Sequence, residues 1–534
     1  MSINIKTYDV IVAGGSLGGV MTAYSLCKNG HKVLLIEETK WIGGQLTSQG
    51  VPSDEHQMIE KTGATKTYRE YRNRVRNYYR NHPSIIDELK TKEIFNPGNG
   101  WVSKNSHDPR LALKLLNDML DPFVKNGRLE IILNAKVIGA ETIDHEIKNV
   151  TIETKDTIFT AKASYVVDAT DTGELLPITQ TKYVTGAEAF SEYQEPHAPE
   201  KALPGDMQPI TWTAAVGFME DGKDHTIDKP ELYEYFKNYI MPFGESVLSW
   251  YAAGLDHGTK RLFSMFATPN TKFSETPAMF TYRQVIEKNY FKDNYEPASV
   301  MLINWPQNDY IMGNIFDDPN SEMHKYRAKQ LTLSLVYWLQ TEAERCDGKG
   351  FGYKEVKLMP EVLGTEDGLA LAPYIRESRR IKALYTIKEQ DINKRYAKEP
   401  KFFWDTVGVG HYHIDLHMTT ETKTYFFDET WPFQIPLGAL IPVETKNLIA
   451  ACKNIGTTHV TNGCYRLHPV EWNIGESAGH FISFCLEKNL LPKDIYQSKE
   501  LVKEFQQKLE SEGVMLSWPD DVYIDESKYI VKGY

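Results

Sequence analysis

The side chains best suited to chemistry fall into three groups. In HYHIDLH, His411, His413, Asp415 and His417 alternate, so an extended strand would present all four on one face. Three imidazoles and a carboxylate could ligate a metal. The reading taken is a substrate-cavity lining, with no resident metal, because an imidazole moves a proton near neutral pH. Oxidation of a C–H bond beside an O–H or N–H needs such a group. The second group is GTTHVTNGCYRLHPVEWNIGESAG, residues 456–479, which sets His459, Asn462, Arg466, His468, Glu471, Trp472 and Glu476 among small residues. In the third, PYIRESRRI, Arg376, Arg379 and Arg380 follow closely. On a helix Arg376 and Arg380 would share a side, where a guanidinium grips a carboxylate.

These groups need a scaffold, and Tyr8–Glu37 supplies its first unit. Tyr8 to Ala13 reads as a buried strand, and Gly14, Gly15, Gly18 and Gly19 turn the chain into an apolar-striped helix to about Cys27. Asn29-Gly30 turns it back, and His31–Ile36 forms a second strand that ends on Glu37. This is a βαβ unit opening on a nucleotide-binding turn, with the acid where a ribose hydroxyl needs an acceptor. Ser16 stands at the middle glycine position of G-x-G-x-x-G, where its hydroxyl could reach a phosphate. Gly43 and Gly44 follow, suggesting that the chain runs along a flat ligand. The segment Asn473–Glu476 is expected to open a helix whose positive end faces an electron-rich group such as a flavin edge.

The chain has 534 residues, too many for one core. Its 41% apolar and 25% charged residues describe a soluble globular protein, and the net charge of -12 argues against nucleic acid as a partner. No apolar run reaches the roughly 18–20 residues of a membrane span. MSINIKTYD leads into the first strand without a signal-peptide pattern, so a cytoplasmic location is expected. The five cysteines form no C-x-x-C pair, which removes that redox motif and conventional cysteine-ligated iron–sulfur clusters.

Residues 57–82 read as a basic helix with a solvated face, and Asp108-Pro109 starts another helix. Leu129–Leu133, Ala135–Glu141, Val150–Glu153 and Asp156–Ala161 are expected to form a small meander across 129–161, before the buried strand Ser164–Asp168. From 185 to 435 the α/β rhythm breaks into proline-punctuated, aromatic-rich text, with helices at about Ser321–Arg345 and from about Ile381. It returns with the strand Asn447–Ala451 and a helix over Gly475–Leu491. The expected organisation is a discontinuous first domain, 1–184 and 436–534, with an inserted mixed α+β substrate domain at 185–435.

DVIVAGGSLGG, WIGGQLTSQG, VVDATDTGELL, INWPQNDY, PYIRESRRI, FFWDTVGVGHYHIDLH, PFQIPLGALIP and THVTNGCYRLHPVEWNIGESAG, in this order over nearly the whole chain, resemble the FAD-dependent oxidoreductase family within the glutathione-reductase-like flavoproteins. The resemblance implies an α/β fold with a Rossmann-like FAD-binding domain of glutathione-reductase type. It implies that Gly14, Gly15, Ser16 and Gly19 hold the diphosphate of FAD and Glu37 the ribose. Gly43, Gly44 and Gln45 would follow the ribityl chain and ring, Val137 would meet adenine, and Thr170 and Asp171 would close the pocket. Asn454, Gly475 and Glu476 would meet the far end of the flavin. The expected reaction removes hydride from a small polar organic substrate, with the flavin reoxidised by oxygen, a quinone or another carrier. His468 or His413 would be the base, Arg466 and Arg376 would orient the substrate, and His459 would line the pocket. Two alternatives stand beside it: a flavin-dependent monooxygenase of an aromatic substrate, and a non-catalytic flavin-binding structural or sensor protein. His56 offers a covalent flavin linkage, and the enzyme could form a homo-oligomer.

Overall fold

The computed structural model describes residues 5–254, 258–269 and 271–531, so Met1–Asn4 of the leading segment lie outside the described residues. β1 (Lys6–Thr7) precedes β2 (Val10–Ala13), α1 (Leu17–Lys28) and β3 (Val33–Glu37), the expected βαβ unit in parallel register, Val10 opposite Val33 and Ala13 opposite Ile36. α2 (Lys66–Arg80) and α3 (Pro109–Lys125) follow, the latter capped by the Asp108 carboxylate on the Arg110 N–H at 2.8 Å. β4 (Leu129–Leu133) pairs with β3 from Val33–Leu129 to Glu37–Leu133. It is therefore an edge of the main sheet and not the first strand of the meander. The meander itself is β5 (Ala135–Ile143), β6 (Glu146–Thr154) and β7 (Ile158–Lys162), with β1 added on β7. β8 (Tyr165–Asp168) returns beside β2.

The inserted region builds its own sheet from β9 (Ala214–Phe218), β10 (Gln284–Ile286), β11 (Ser299–Ile303) and β12 (Val356–Leu358), in the order β10-β11-β9-β12. α4 (Ser321–Thr341) buries Leu331, Leu335 and Leu339 in a core separate from that of the main sheet. No long helix starts near Ile381. Arg380 and Ile381 pair instead with Val184 and Tyr183, because the buried Arg380 guanidinium is held by Glu377, Glu188 and the Gly186 carbonyl. The i,i+4 relation of Arg376 and Arg380 is thus lost. β13 (Thr406–Gly410) pairs with β16 (Phe433–Pro436), and β14 (Ile414–Leu416) with β15 (Phe426–Asp428). Of the alternating segment only Ile414–Leu416 is strand, so Asp415 lies on it and the three histidines do not.

β17 (Leu448–Ala450) completes a parallel sheet of order β17-β8-β2-β3-β4. Then come α5 (His459–Tyr465), α6 (His468–Lys488), α7 (Pro492–Gln497) and α8 (Lys499–Glu512). α6 begins seven residues before the expected start at Gly475. Pro469 explains it, since proline's fixed φ suits the first turn and its missing N–H costs nothing there. Asn473–Glu476 therefore lie inside the helix, against α1 and α2. A Cβ on Gly475 would sit 2.1 Å from the Gly18 carbonyl oxygen, and one on Gly18 1.7 Å from that of Ala451. Thr22 Oγ1 completes the seam, 3.0 Å from the Gly475 oxygen.

The α2 arginines do not form one solvated face. Arg72 and Arg76 are buried and paired with Glu55 and Glu60 at 2.5–2.9 Å. Substituting Gly475→Val should lower stability by about 3 kcal/mol or more, because backbone has to move. Gly139→Ala, with only the Thr151 side chain at 3.7–3.8 Å, should stay close to wild type. Thermal melts of the two variants with FAD present check the difference.

Candidate functional site

The turn after β2 is shaped for a diphosphate. Gly14 has φ +95°, and a Cβ there would lie 2.3 Å from the Ala169 oxygen, so only glycine fits. Ser16 caps α1, accepting the Gly19 N–H at 3.2 Å. The Gly15 N–H donates to Glu37 at 2.8 Å and the Gly18 N–H to Glu471 at 3.1 Å. Among the described residues, the Ser16 and Leu17 N–H groups have no protein acceptor, which leaves two donors at the positive end of α1 for an anion. A cleft lined by Ala13, Glu37, Thr39, Val137, Thr170 and Asp171 continues from this turn. Burial pushes the Glu37 carboxyl up to about 7, against hydrogen bonds from Thr39 and Gly15.

Gly43 and Gly44 fold the next segment onto that turn. The Gly43 N–H donates to the Gly15 carbonyl at 2.6 Å. Gln45 reaches across to the Arg466 carbonyl at 3.0 Å and Glu471 at 2.5 Å, and its buried Oε1 has no partner. These residues fit a dinucleotide, with diphosphate donors at Ser16 and Leu17 and an adenosine cleft at Glu37 and Val137. Lys453, which the sequence reading missed, is buried here, bonded to Asp171 and 3.5 Å from Glu471. Asn454 ties its own turn together, accepting from the Cys452 N–H at 3.1 Å and donating to the Asp168 carbonyl at 3.0 Å. Gly475 and Glu476 do not line this cleft. The first is the helix-packing contact, and the second accepts a 2.6 Å bond from Thr67 while burial raises its carboxyl to about 7.

A cavity of about 280 Å³ opens beside β14 and β15 in the inserted region. Met241, Phe243, Phe263, Met279, Phe426 and Phe427 make much of its wall. Asp309, Asp415 and His417 supply a polar side. His417 Nδ1 is 2.6 Å from Asp309 and its Nε2 is 3.2 Å from Asp415. Arg376 pairs with Asp309 at 2.8 Å and Arg466 with Asp415 at 3.1 Å. Burial alone would raise both carboxyls, but Arg376 and His417 hold Asp309 below the ordinary range, and His417 and Arg466 hold Asp415 well below it. Both arginines expected to grip substrate are therefore engaged with acids of the protein.

The histidines separate into distinct environments. His468 is fully buried at the start of α6, and its Nδ1 accepts the Asp54 N–H at 3.0 Å. A backbone N–H can only donate, so the ring proton of neutral His468 sits on Nε2. Burial pushes its pKa down to about 3. That makes it a hydrogen-bond donor at neutral pH and removes the role of base. His413 is half-buried against the Phe427 ring, 4.2 Å between centroids. His459 Nδ1 lies 2.9 Å from both Glu377 oxygens, and this acid outweighs burial to raise its pKa. His411 packs edge-on toward His56 and Trp518, so the four alternating side chains do not share one site. His56 is buried and bonded to the Gly63 carbonyl at 3.1 Å, an arrangement unsuited to a flavin linkage. His417 and Asp415 could be suspected from their spacing. Asp309 lies 108 residues before His417, inside INWPQNDY, and nothing in its spacing ties it to His417.

Among the described residues no helix is long and apolar enough to cross a membrane. A search of curated proteins found no match. A solved geranylgeranyl bacteriochlorophyll reductase-like protein from Thermoplasma acidophilum is similar at 10% identity over 96% of this chain and 85% of its own, with a TM-score of 0.31. The myxobacterial chondrochloren halogenase matches at 10% identity over 95% and 80%, TM-score 0.31. The L-proline dehydrogenase of P. horikoshii matches at 17% identity over 35% of this chain and 25% of its own, TM-score 0.19. This chain spans a quarter to about half of the first three structures it matches. The model of one family, described as FAD dependent oxidoreductase, matches residues 9–509, and with the dinucleotide cradle in place the chain belongs to that family and takes FAD as its cofactor.

Proposed function

We propose that the enzyme oxidises an organic substrate held in the cavity beside β14 and β15, with His417 as the group that takes the proton. The Asp309–His417–Asp415 arrangement carries this reading. FAD, when bound, supplies the hydride acceptor. Gly14, Gly15, Ser16, Gly19 and Glu37 hold its adenosine diphosphate half, with Val137, Thr170 and Asp171 around the adenosine. Gly43, Gly44 and Gln45 follow the chain toward the ring. Asp309 accepts the Nδ1 proton of His417, and Nε2 faces the Asp415 carboxylate at 3.2 Å, so His417 and Asp415 together form the proton-accepting pair on the cavity side. As the substrate C–H bond breaks, the proton of the neighbouring O–H or N–H passes to Nε2, and Asp415 receives the resulting N–H. Arg376 and Arg466 are positioning residues that keep the two acids ionised. His468 and His459, offered above as base and lining, become a neutral donor and a buried imidazole whose charged form Glu377 favours.

The fold is proposed to be of glutathione-reductase type, with the boundaries 1–184, 185–435 and 436–534. One dinucleotide turn supports reoxidation by oxygen, a quinone or another carrier. The aromatic walls of the cavity also keep monooxygenation of an aromatic substrate as a second reading. NAD(P)H bleaching that accelerates on adding substrate would select it.

His417→Gln should slow anaerobic flavin bleaching by about 10²–10⁴-fold, the usual worth of a positioned acid–base group, with FAD content unchanged. His413→Gln should leave the rate near wild type. Stopped-flow reduction by any substrate that bleaches the wild type checks both, and equal loss in the two variants would remove His417 from the role.

The raised Glu37 carboxyl links cofactor binding to pH. Below about 7 the cofactor-free protein carries a proton on Glu37, while ribose hydroxyls need an ionised acceptor. Binding therefore releases a proton, and FAD affinity should rise with pH up to about 7, by at most about tenfold per unit. Fluorescence titration of the apoprotein with FAD between pH 5.5 and 8 measures it. Glu37→Gln should bind more weakly with a flat profile, and a wild-type profile without slope would refute the linkage.

A further inference from the structure

We infer that the substrate is an amphipathic carboxylic acid: a ring body fills the aromatic cavity, and its carboxylate sits on Arg261 at the rim. The inference rests on the cavity being the substrate site.

Charge on the cavity lining argues for it. Arg261 is the only arginine or lysine side chain on that lining among the described residues. His417 is engaged by Asp309 and Asp415, as described. Arg261 is exposed, and no carboxylate pairs with it among the described residues. Its neighbour Lys260, by contrast, is bonded to Glu245. The Arg261 guanidinium lies 5.6 Å from the centroid of Phe263, itself part of the wall, so the ring orients the cation along the cavity edge. A guanidinium held in this way keeps its fork of donors free for a planar carboxylate.

The acids of the lining point the same way. Asp309 is matched by Arg376 and His417, and Asp415 by Arg466 and His417. Neither is left to attract a cationic substrate, so a substrate ammonium would have to displace an existing partner. The walls exclude a wholly polar molecule on other grounds, because phenylalanine and methionine side chains offer it no hydrogen bonds to replace lost water. A volume of about 280 Å³ lies at the small end of ligand cavities and suits one or two rings. The small polar substrate expected from sequence thus becomes a molecule with an apolar body and two polar ends. One end is the anion at Arg261, and the other is the oxidised group beside His417.

Three probes with one bicyclic body separate the charge classes: indole-3-acetate, indole-3-acetamide and tryptamine. Calorimetric titration of the holoprotein with each reads binding independently of turnover. The acid should bind about five- to tenfold more tightly than the amide or the amine, the worth of one charge-assisted bidentate pair in a half-open site. Arg261→Gln should abolish that preference and Arg261→Lys should restore part of it. As Arg261 is exposed, both variants should fold. Ala253→Trp, which fills the cavity from a partly exposed lining position, should weaken all three probes.

Equal affinity for acid and amine, an acid preference surviving Arg261→Gln, binding unaffected by Ala253→Trp, or no binding of any probe would each overturn the inference. Anaerobic bleaching by ring-bearing acids and their neutral analogues is followed separately. Acid-selective binding through Arg261 by a holoprotein that no such compound reduces would count against the proposed oxidation and leave the carboxylate assignment standing.

Discussion

The contact on which the rest depends is backbone against backbone, where α1 meets α6 at Gly18 and Gly475. No side chain separates the two helices there, and either glycine with a Cβ would collide with a carbonyl oxygen at about 2 Å. Close approach of this kind carries dispersion contacts that larger residues would forfeit by spacing the helices apart. It also fixes a chemical relation. With α6 seated on α1, Glu471 in its first turn reaches the Gly18 N–H, a bond that spans 453 residues of sequence. The corner before α6 then brings Arg466 and His468 alongside Gln45 and Asp54. The end of the chain thereby completes a site that its beginning opens.

A second constraint is charge. Arg376, Asp309, His417, Asp415 and Arg466 form an alternating row in which neighbours lie 2.6–3.2 Å apart. Removing such groups from water costs several kcal/mol each, and only well-placed opposite charges offset it. The alternation lets an ionised wall stand beside an apolar cavity. The same logic explains why the donors of the two arginines in this row go to Asp309 and Asp415 and not into the cavity. Arg380 repeats the pattern in a fully buried setting with Glu188 and Glu377, where His459 also joins, away from the cavity wall.

Sequence made the nucleotide end legible because its determinants are local. Strand, glycine turn, helix and terminal acid lie within thirty consecutive residues, and each constrains φ, packing or charge by itself. The meander, the capped helix at Asp108 and the inserted α+β region were equally readable from periodicity, proline and turn residues. The start of α6 is obscured in sequence because the small residues near Gly475 suit a helix opening, although His468-Pro469 carries the stronger signal. Gly475 is small for helix packing, and composition cannot separate the two reasons. β4 was grouped with the meander because strand text gives no partner. The cavity's polar side is half visible: Asp415 and His417 stand out by spacing, while Asp309, in the short strand Asp309–Tyr310 paired with Ile210–Thr211, acquires its meaning only when it meets His417 in space.

Residue type also leaves the direction of a hydrogen bond undetermined. His468, His459 and His417 are the same side chain in three electrostatic settings. A backbone donor on Nδ1 fixes His468 as a neutral Nε2–H group, two oxygens of Glu377 favour the charged form of His459, and Asp309 on Nδ1 sets the other nitrogen of His417 against Asp415. What decides among them is which neighbour can only donate and which can only accept. Arg466 shows why the two halves of the site cannot be designed apart. It ends α5, its carbonyl holds Gln45 on the cofactor side, and its guanidinium holds Asp415 on the cavity side. A shift of that corner would move Gln45 and the acid beside His417 together, so the segment 43–45 and the cavity wall are tied through one residue's backbone and side chain.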